Sequence, residues 1–245
     1  MTNGNRTMTE LPAFDAYAEE YDAWFLQNLN VLASEKRLIA HCLDSVGPGR
    51  TLSVGCGSGL FEMLLREQDG MEVGFGVEPS EGMAAIARKR GMEVAIGGAE
   101  SLPYDNASFD TVLFNGTPSY IEHLEDAFAE AHRVLRPDGF IVVADVPAES
   151  SYGLLYRLAT VVGSWDDPFL RKVAPRHPYP IEFAAAANWR MHDEKCGLLE
   201  VVGFVEPQSW QTLTCHPKHS DEVAEDPSEG ADRGDYVAII ARKRG

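Results

Sequence analysis

Val54-Gly55-Cys56-Gly57-Ser58-Gly59-Leu60 is the stretch on which the fold turns. Ahead of it, Thr51-Leu52-Ser53-Val54 is a short apolar strand, and behind it residues 60–67 have helical spacing. Glycines between a strand and a helix let the backbone turn sharply and approach a ligand closely, because no side chain intervenes. The amino end of the helix then offers N–H groups to an anionic group. A dinucleotide fingerprint requires glycine where Leu60 stands, so the spacing is G-x-G-x-G and a nicotinamide-dependent oxidoreductase is a distant alternative. A purely structural turn would also use glycine, so the loop alone does not name the ligand.

Downstream the rhythm repeats. Residues 72–77 read as a second strand ending at Glu78-Pro79, and Ser80 caps a helix running to Arg90 with Glu81 in its first turn. Further strands are predicted at 92–96, 109–115 and 140–145. An amphipathic helix over 124–135 is closed by Pro137-Asp138-Gly139. Such alternation predicts a doubly wound, mostly parallel sheet with its ligand beyond the carboxyl ends of the strands. Glu78 stands at a strand tip, 19 residues after Gly59, where a carboxylate can accept hydrogen bonds from both hydroxyls of a ribose. Its removal is expected to cost at least tenfold in affinity and little unliganded stability.

With these residues in place, the chain resembles the class I S-adenosylmethionine-dependent methyltransferases, in the broad small-molecule type 11 and 25 group. The resemblance rests on L-S-V-G-C-G-S-G, G-V-E-P-S-E-G-M, G-G-A-E-S-L-P-Y-D-N-A-S-F-D-T-V-L-F and H-R-V-L-R-P-D-G-F, within 52–145, in matching order and spacing. It implies a Rossmann-like seven-stranded sheet, mostly parallel with an antiparallel last strand over 236–241, plus a helical and aromatic cap. It also implies S-adenosylmethionine as cofactor. Gly55, Cys56, Gly57 and Gly59 would wrap the methionine part, Glu78 would hold the ribose, and Pro79 and Met83 would lie beside the adenine. Ala99 and Glu100 would meet the adenine edge, Asn115 would sit near the methionine group and the sulfonium, and Tyr17 and Tyr21 would close over the cofactor. Two positions depart from the common pattern: Ser53 replaces the usual acid before Val54, and Gly98 a frequent Asp before Ala99. Each is expected to weaken cofactor binding by about one hydrogen bond, ~0.5–1.5 kcal/mol.

No general base announces itself; Tyr120, His123 and Tyr152 are weak candidates beside the active edge, each more readily a packing or surface residue. In-line methyl transfer to a lone pair needs mainly alignment and desolvation. The sequence predicts one domain over 1–245, with a helical lid at 12–46 and a cap insertion at 147–190. The lid expectation rests on Phe14, Tyr17, Tyr21 and Trp24, which share a helical face. Residues 147–189 read as irregular and aromatic-rich, a long excursion of the kind that forms lids. Residues 217–235 read as a mobile acidic excursion.

Composition bounds the partners. There are 21 basic against 38 acidic residues, a net charge of −17. Such a surface disfavours nucleic acid and anionic membranes. No run reaches the ~18 apolar residues of a membrane span, and residues 1–10 lack the apolar core of a secretory signal. Cys42, Cys56, Cys196 and Cys215 are scattered, which fits a reduced cytoplasm. Cys215-His216-x-x-His219 lacks the tight pairing of a zinc site, so no metal is expected. The favoured function is methyl transfer to a small-molecule acceptor. The alternatives are a protein side chain or a quinone-like lipid as acceptor, or a non-catalytic cofactor-binding module.

Overall fold

The computed structural model describes residues 18–245; Phe14 and Tyr17 lie outside the described residues. Two helices, α1 (Ala18–Gln27) and α2 (Leu29–Val46), precede the sheet. Helix α2 buries Val31, Leu32, Glu35, Leu38, Ile39 and Cys42, the three-and-four spacing of one helical face, and ends where Gly47 turns left-handed. Then come β1 (Thr51–Val54), α3 (Leu60–Leu64), β2 (Phe75–Glu78), α4 (Glu81–Lys89), β3 (Glu93–Ile96) and β4 (Phe109–Asn115). Next are α5 (Leu124–Val134), β5 (Leu135–Asp145), α6 (Ser151–Val162), α7 (Leu170–Val173) and α8 (Ile181–Ala186). The chain closes with α9 (His192–Val201), β6 (Phe204–Thr212), β7 (Ser228–Glu229) and β8 (Tyr236–Lys243). Ser80 caps α4 as predicted, its Oγ accepting the Met83 N–H at 3.1 Å.

The strands form one sheet in the order β3-β2-β1-β4-β5-β8-β6-β7. The first five pair in parallel, and β8 runs antiparallel between β5 and β6, the expected reversed strand. Side chains alternate across the sheet with period two. Leu113, Val142, Ala144, Ala238 and Ile240 face one core with α1, α2 and α6. Val112, Phe114, Ile141, Val143 and Ile239 face the other, with α5 and α9. Helices on both faces give the doubly wound arrangement.

Five expectations are corrected in detail. The sheet has eight strands rather than seven, because β7 pairs with β6 inside the 217–235 segment. That segment is also tied down: Asp221 Oδ1 accepts the Asn30 N–H at 2.7 Å, and the Glu225 N–H donates to Ser34 Oγ at 2.8 Å. Its acidity, read as a mark of mobility, supplies acceptors for backbone donors. Pro137-Asp138-Gly139 is a bulge within β5, which starts at Leu135 and shifts register opposite Phe109 and Thr111. The helix after the glycine loop turns into a π-helical turn at Leu65–Asp69 and stops at left-handed Gly70. Residues 147–189 carry three helices, α6, α7 and α8, rather than being irregular throughout. Ser150 caps α6 by accepting the Gly153 N–H at 3.1 Å. Exposed Leu154, Leu158 and Val161 blur the polar face that would reveal the helical period.

Candidate active site

Three central strands deliver their carboxyl ends to one crevice. Val54 pairs with Val77 on one side and Phe114 on the other, so Glu78, the glycine loop and Asn115 stand side by side. Asn115 pairs with Ala144, which places Asp145 next in the row, and antiparallel β8 enters from Tyr236 at the same edge. Neighbouring strands are about 4.8 Å apart, so the row spans the switch point between β1 and β4.

The loop is held by its own backbone. The N–H groups of Gly55 and Cys56 donate to Val77 O at 2.8 and 3.2 Å. Gly55 has φ +67°, and a Cβ there would overlap the Thr117 methyl. Gly57 has φ +54°, and a Cβ there would meet nothing within 4 Å, because it faces open space. Glu78 is buried and orients this wall: Oε2 accepts the Gly57 N–H at 2.9 Å and Oε1 the Ser80 N–H at 2.9 Å. Removing this side chain therefore strands two backbone donors, so a loss of unliganded stability is expected where the sequence alone predicts little change.

A cleft opens beside the loop, lined by Tyr21, Gly55, Cys56, Gly57, Glu62 and Asn115 among others. It brings five of the predicted cofactor residues together; Glu78 joins them through Gly57. Gly59 closes the turn, its N–H donating to Cys56 O at 2.9 Å. Beyond that lining, Pro79 is exposed, Met83 and Ala99 are buried, and Glu100 is half-buried. Cys56 is inert as a nucleophile, since burial, helped by Glu62 and Glu78, pushes its thiol far up.

Two cleft features escaped the sequence. Ser53, the residue that departs from the acidic pattern, donates through Oγ to Glu62 Oε1 at 2.6 Å. A carboxylate from α3, just after the glycine loop, thus stands beside position 53. Burial raises the Glu62 pKa, and the Ser53 hydrogen bond opposes that rise. The second is a network from α1: Asp22 Oδ1 accepts Ser58 Oγ at 2.6 Å, and Asp22 Oδ2 accepts Arg90 at 2.7 Å. Arg90 also donates to Ser58 O and Oγ at 2.9 and 2.7 Å. One buried carboxylate therefore joins the amino-terminal helix, the glycine loop and the end of α4.

A second cleft shares Tyr21, Phe61 and Asn115 with the first. Its wall is aromatic and assembled from distant segments. Trp24 Nε1 donates to His177 O at 3.0 Å, Trp165 Nε1 donates to Tyr179 O at 2.8 Å, and the Tyr120 and Tyr179 hydroxyls meet at 2.9 Å. Tyr236 donates to Asn115 Oδ1 at 2.8 Å, linking β8 to the tip of β4. Two acids reach the same space, Glu35 from α2 and Asp145 from β5. Asp145 accepts Ser119 Oγ at 2.7 Å and pairs with Lys195 Nζ at 3.3 Å. For Glu35 the sequence held one signal, a charged residue on the apolar face of α2.

The three base candidates part company here. Tyr120 lines the cleft, but burial holds its phenol well above the ordinary range, so it keeps its proton. Tyr152 is buried away from the cleft lining, with its hydroxyl 2.6 Å from Ser220 Oγ. His123 is exposed at the start of α5. Among the described residues no cluster of three or more His, Cys, Asp or Glu could hold a metal ion, and no helix is long and apolar enough to cross a membrane.

Comparison with known proteins agrees with this geometry. Residues 52–143 match the model of a family described as a methyltransferase domain. An uncharacterised protein of Methanocaldococcus jannaschii is 31% identical, with 94% of this chain and 98% of that protein aligned. The malonyl-[acyl-carrier protein] O-methyltransferase of Geobacter sulfurreducens is 36% identical over 54% of this chain and 51% of its own length. Among solved structures, a Thermotoga maritima SAM-dependent methyltransferase, described as a possible histamine N-methyltransferase, superposes with TM-score 0.78 and 32% identity. That superposition covers 94% of this chain and 98% of the other.

Proposed function

Because the chain belongs to the class I S-adenosylmethionine-dependent methyltransferases of the type 11 group, we propose that it methylates a small-molecule acceptor held in the aromatic cleft. S-adenosylmethionine is the cofactor, and when bound it supplies an electrophilic methyl group on a sulfonium sulfur. The single observation that carries the acceptor assignment is the junction of the two clefts at Tyr21, Phe61 and Asn115.

The loop cleft fits the cofactor's chemistry. Gly57 leaves a wall without a side chain, Glu78 provides a fixed carboxylate for ribose hydroxyls, and buried Glu62 provides a carboxylate for the methionine ammonium. With Glu62 in that role, Ser53 orients the carboxylate rather than marking a lost contact. Asn115 stands at the junction, its amide oxygen held by Tyr236. The helices of 147–190 and the 12–46 segment act as cap and lid around the acceptor, excluding water so that electrostatic contacts strengthen. An open aromatic cleft at this position favours catalysis over a non-catalytic module, whose side chains would fill the space.

Calorimetry tests the cofactor and a labelled-methyl screen tests the acceptor. S-adenosylhomocysteine is expected to bind and NAD not to. Label is expected in small acceptors rather than in protein or quinone. Absence of heat with S-adenosylhomocysteine at tens of micromolar protein would sink the assignment.

A further inference from the structure

Glu35 has no use in the scheme above, and its surroundings are unusual. The residue is 5% exposed on the inward face of α2 and lines the aromatic cleft. Among the described residues no hydrogen-bond donor or cation is paired with its carboxyl group, whereas Asp145 in the same cleft has both Ser119 and Lys195. Buried acids are ordinarily paired, and one facing a cavity alone is costly for the protein by itself. Burial, and then the Asp145 charge, push its pKa to about 8.

The rings that line the cleft with it pack on one another. Tyr156 lies 5.1 Å from Trp189 at 38° and 5.6 Å from Tyr179 at 36°, and Trp24 meets Tyr179 edge-on at 5.1 Å and 79°. The Glu35 charge is felt across this wall. After burial, it contributes to the raised phenol pKa values of Tyr21, Tyr152, Tyr156, Tyr179 and Tyr236. A cation is the ligand that supplies the missing countercharge and lets this acid ionise inside the cleft, and the electron-rich rings around it add to what replaces water. An anionic acceptor is repelled, and a neutral hydroxyl offers no such countercharge.

We propose that this cleft is an ammonium site, in which Glu35 and the rings of Trp24, Tyr156, Tyr179 and Trp189 bind the protonated nitrogen of a small amine that is the methyl acceptor. The proposal rests on the methyl-transfer reading and narrows it to N-methylation. The bound nitrogen must shed a proton before its lone pair is available. One N–H bond breaks with its electron pair staying on nitrogen, and the proton forms an O–H bond with a Glu35 carboxylate oxygen. Ammonium and carboxylate thereby become neutral amine and neutral acid.

Titration of the full chain with benzylamine and with benzyl alcohol, a neutral analogue of nearly the same size, tests this by calorimetry. Benzylamine is expected to bind at least tenfold more tightly, and Glu35→Gln to abolish that preference while S-adenosylhomocysteine affinity stays within twofold of wild type. Equal affinity for the two probes, no benzylamine binding, or a preference that survives in Glu35→Gln overturns the ammonium site. The wild-type comparison decides the matter even if the variant fails to fold. Failure of the methyltransferase assignment is a separate signal, namely absent S-adenosylhomocysteine binding.

Discussion

The two clefts that meet at Asn115 are built in opposite ways. The loop cleft is made of backbone: a loop with positive φ at Gly55 and Gly57, strand tips, and one carboxylate that grips two peptide N–H groups. The aromatic cleft is made of side chains that arrive from α1, α2, β5, the 147–189 helices and β8. Trp24 and His177, which close it, are 153 residues apart in the chain. A backbone cradle suits a ligand whose shape is the same for every member of the family. A side-chain wall can be altered residue by residue to suit one acceptor without disturbing the cradle.

Substitutions in the first cleft should therefore disturb loop and ligand together, and those in the second should leave cofactor binding intact. The largest effect belongs to Glu78→Ala. It strands the Gly57 and Ser80 N–H groups at ~1–3 kcal/mol each and removes the ribose carboxylate. Affinity for S-adenosylhomocysteine should fall at least a hundredfold with a clear drop in unliganded Tm; an unchanged Tm would mean that the backbone holds the cradle unaided. Next comes Asp22→Ala, which releases Ser58 and Arg90 from α1. A loss of about 2–3 kcal/mol in chemical denaturation is expected, with roughly tenfold weaker cofactor binding. If affinity did not change, α1 would belong to the aromatic cleft alone.

Two smaller tests address the other side. Glu35 has a folded pKa raised from 4.5 to about 8, so the folded state holds its proton more tightly than the unfolded chain. Unliganded stability from this group is fully present below pH 4.5 and is lost as pH rises through about 8. Asp235, raised from 3.8 to about 6 mainly by burial, acts in the same direction but is exhausted above pH 6. Between pH 6 and 8, urea unfolding should show a falling stability that Glu35→Gln flattens; parallel slopes would relocate the titration. Smallest is Tyr179→Phe, which deletes the contact to Tyr120. It should cost ~0.5–1.5 kcal/mol, raising acceptor KM several-fold without moving cofactor affinity. A shift in cofactor affinity would show that the two clefts are mechanically coupled.

Ser53 shows how far a local reading reaches. At position 53 the chain lacks the usual acid, and the sequence reads this as one hydrogen bond lost. The fold brings Glu62 within 2.6 Å of that serine, nine residues downstream. One turn of α3 moves the carboxylate from a strand end to a helix, a displacement invisible to a motif that is read position by position. Glu35 escaped for another reason. Its spacing marks it as a core position of α2, and nothing local says that the core opens into a cleft there.

The family resemblance supplied the reversed last strand; the residues themselves supplied the alternating strands and helices, the glycine cradle and Glu78 at its strand tip. These depend on period-two and period-3.6 patterning and on glycines that permit positive φ, all of which act over a few neighbouring residues. Tertiary structure alone decided that Asp22 staples α1 to the loop, that Glu62 meets Ser53 in the loop cleft, and that Glu35 lines the aromatic cleft with no partner among the described residues. The hydrogen bonds among them join residues between 9 and 68 positions apart. Their energies come from burial and pairing that exist only once the sheet and its helices have closed around them.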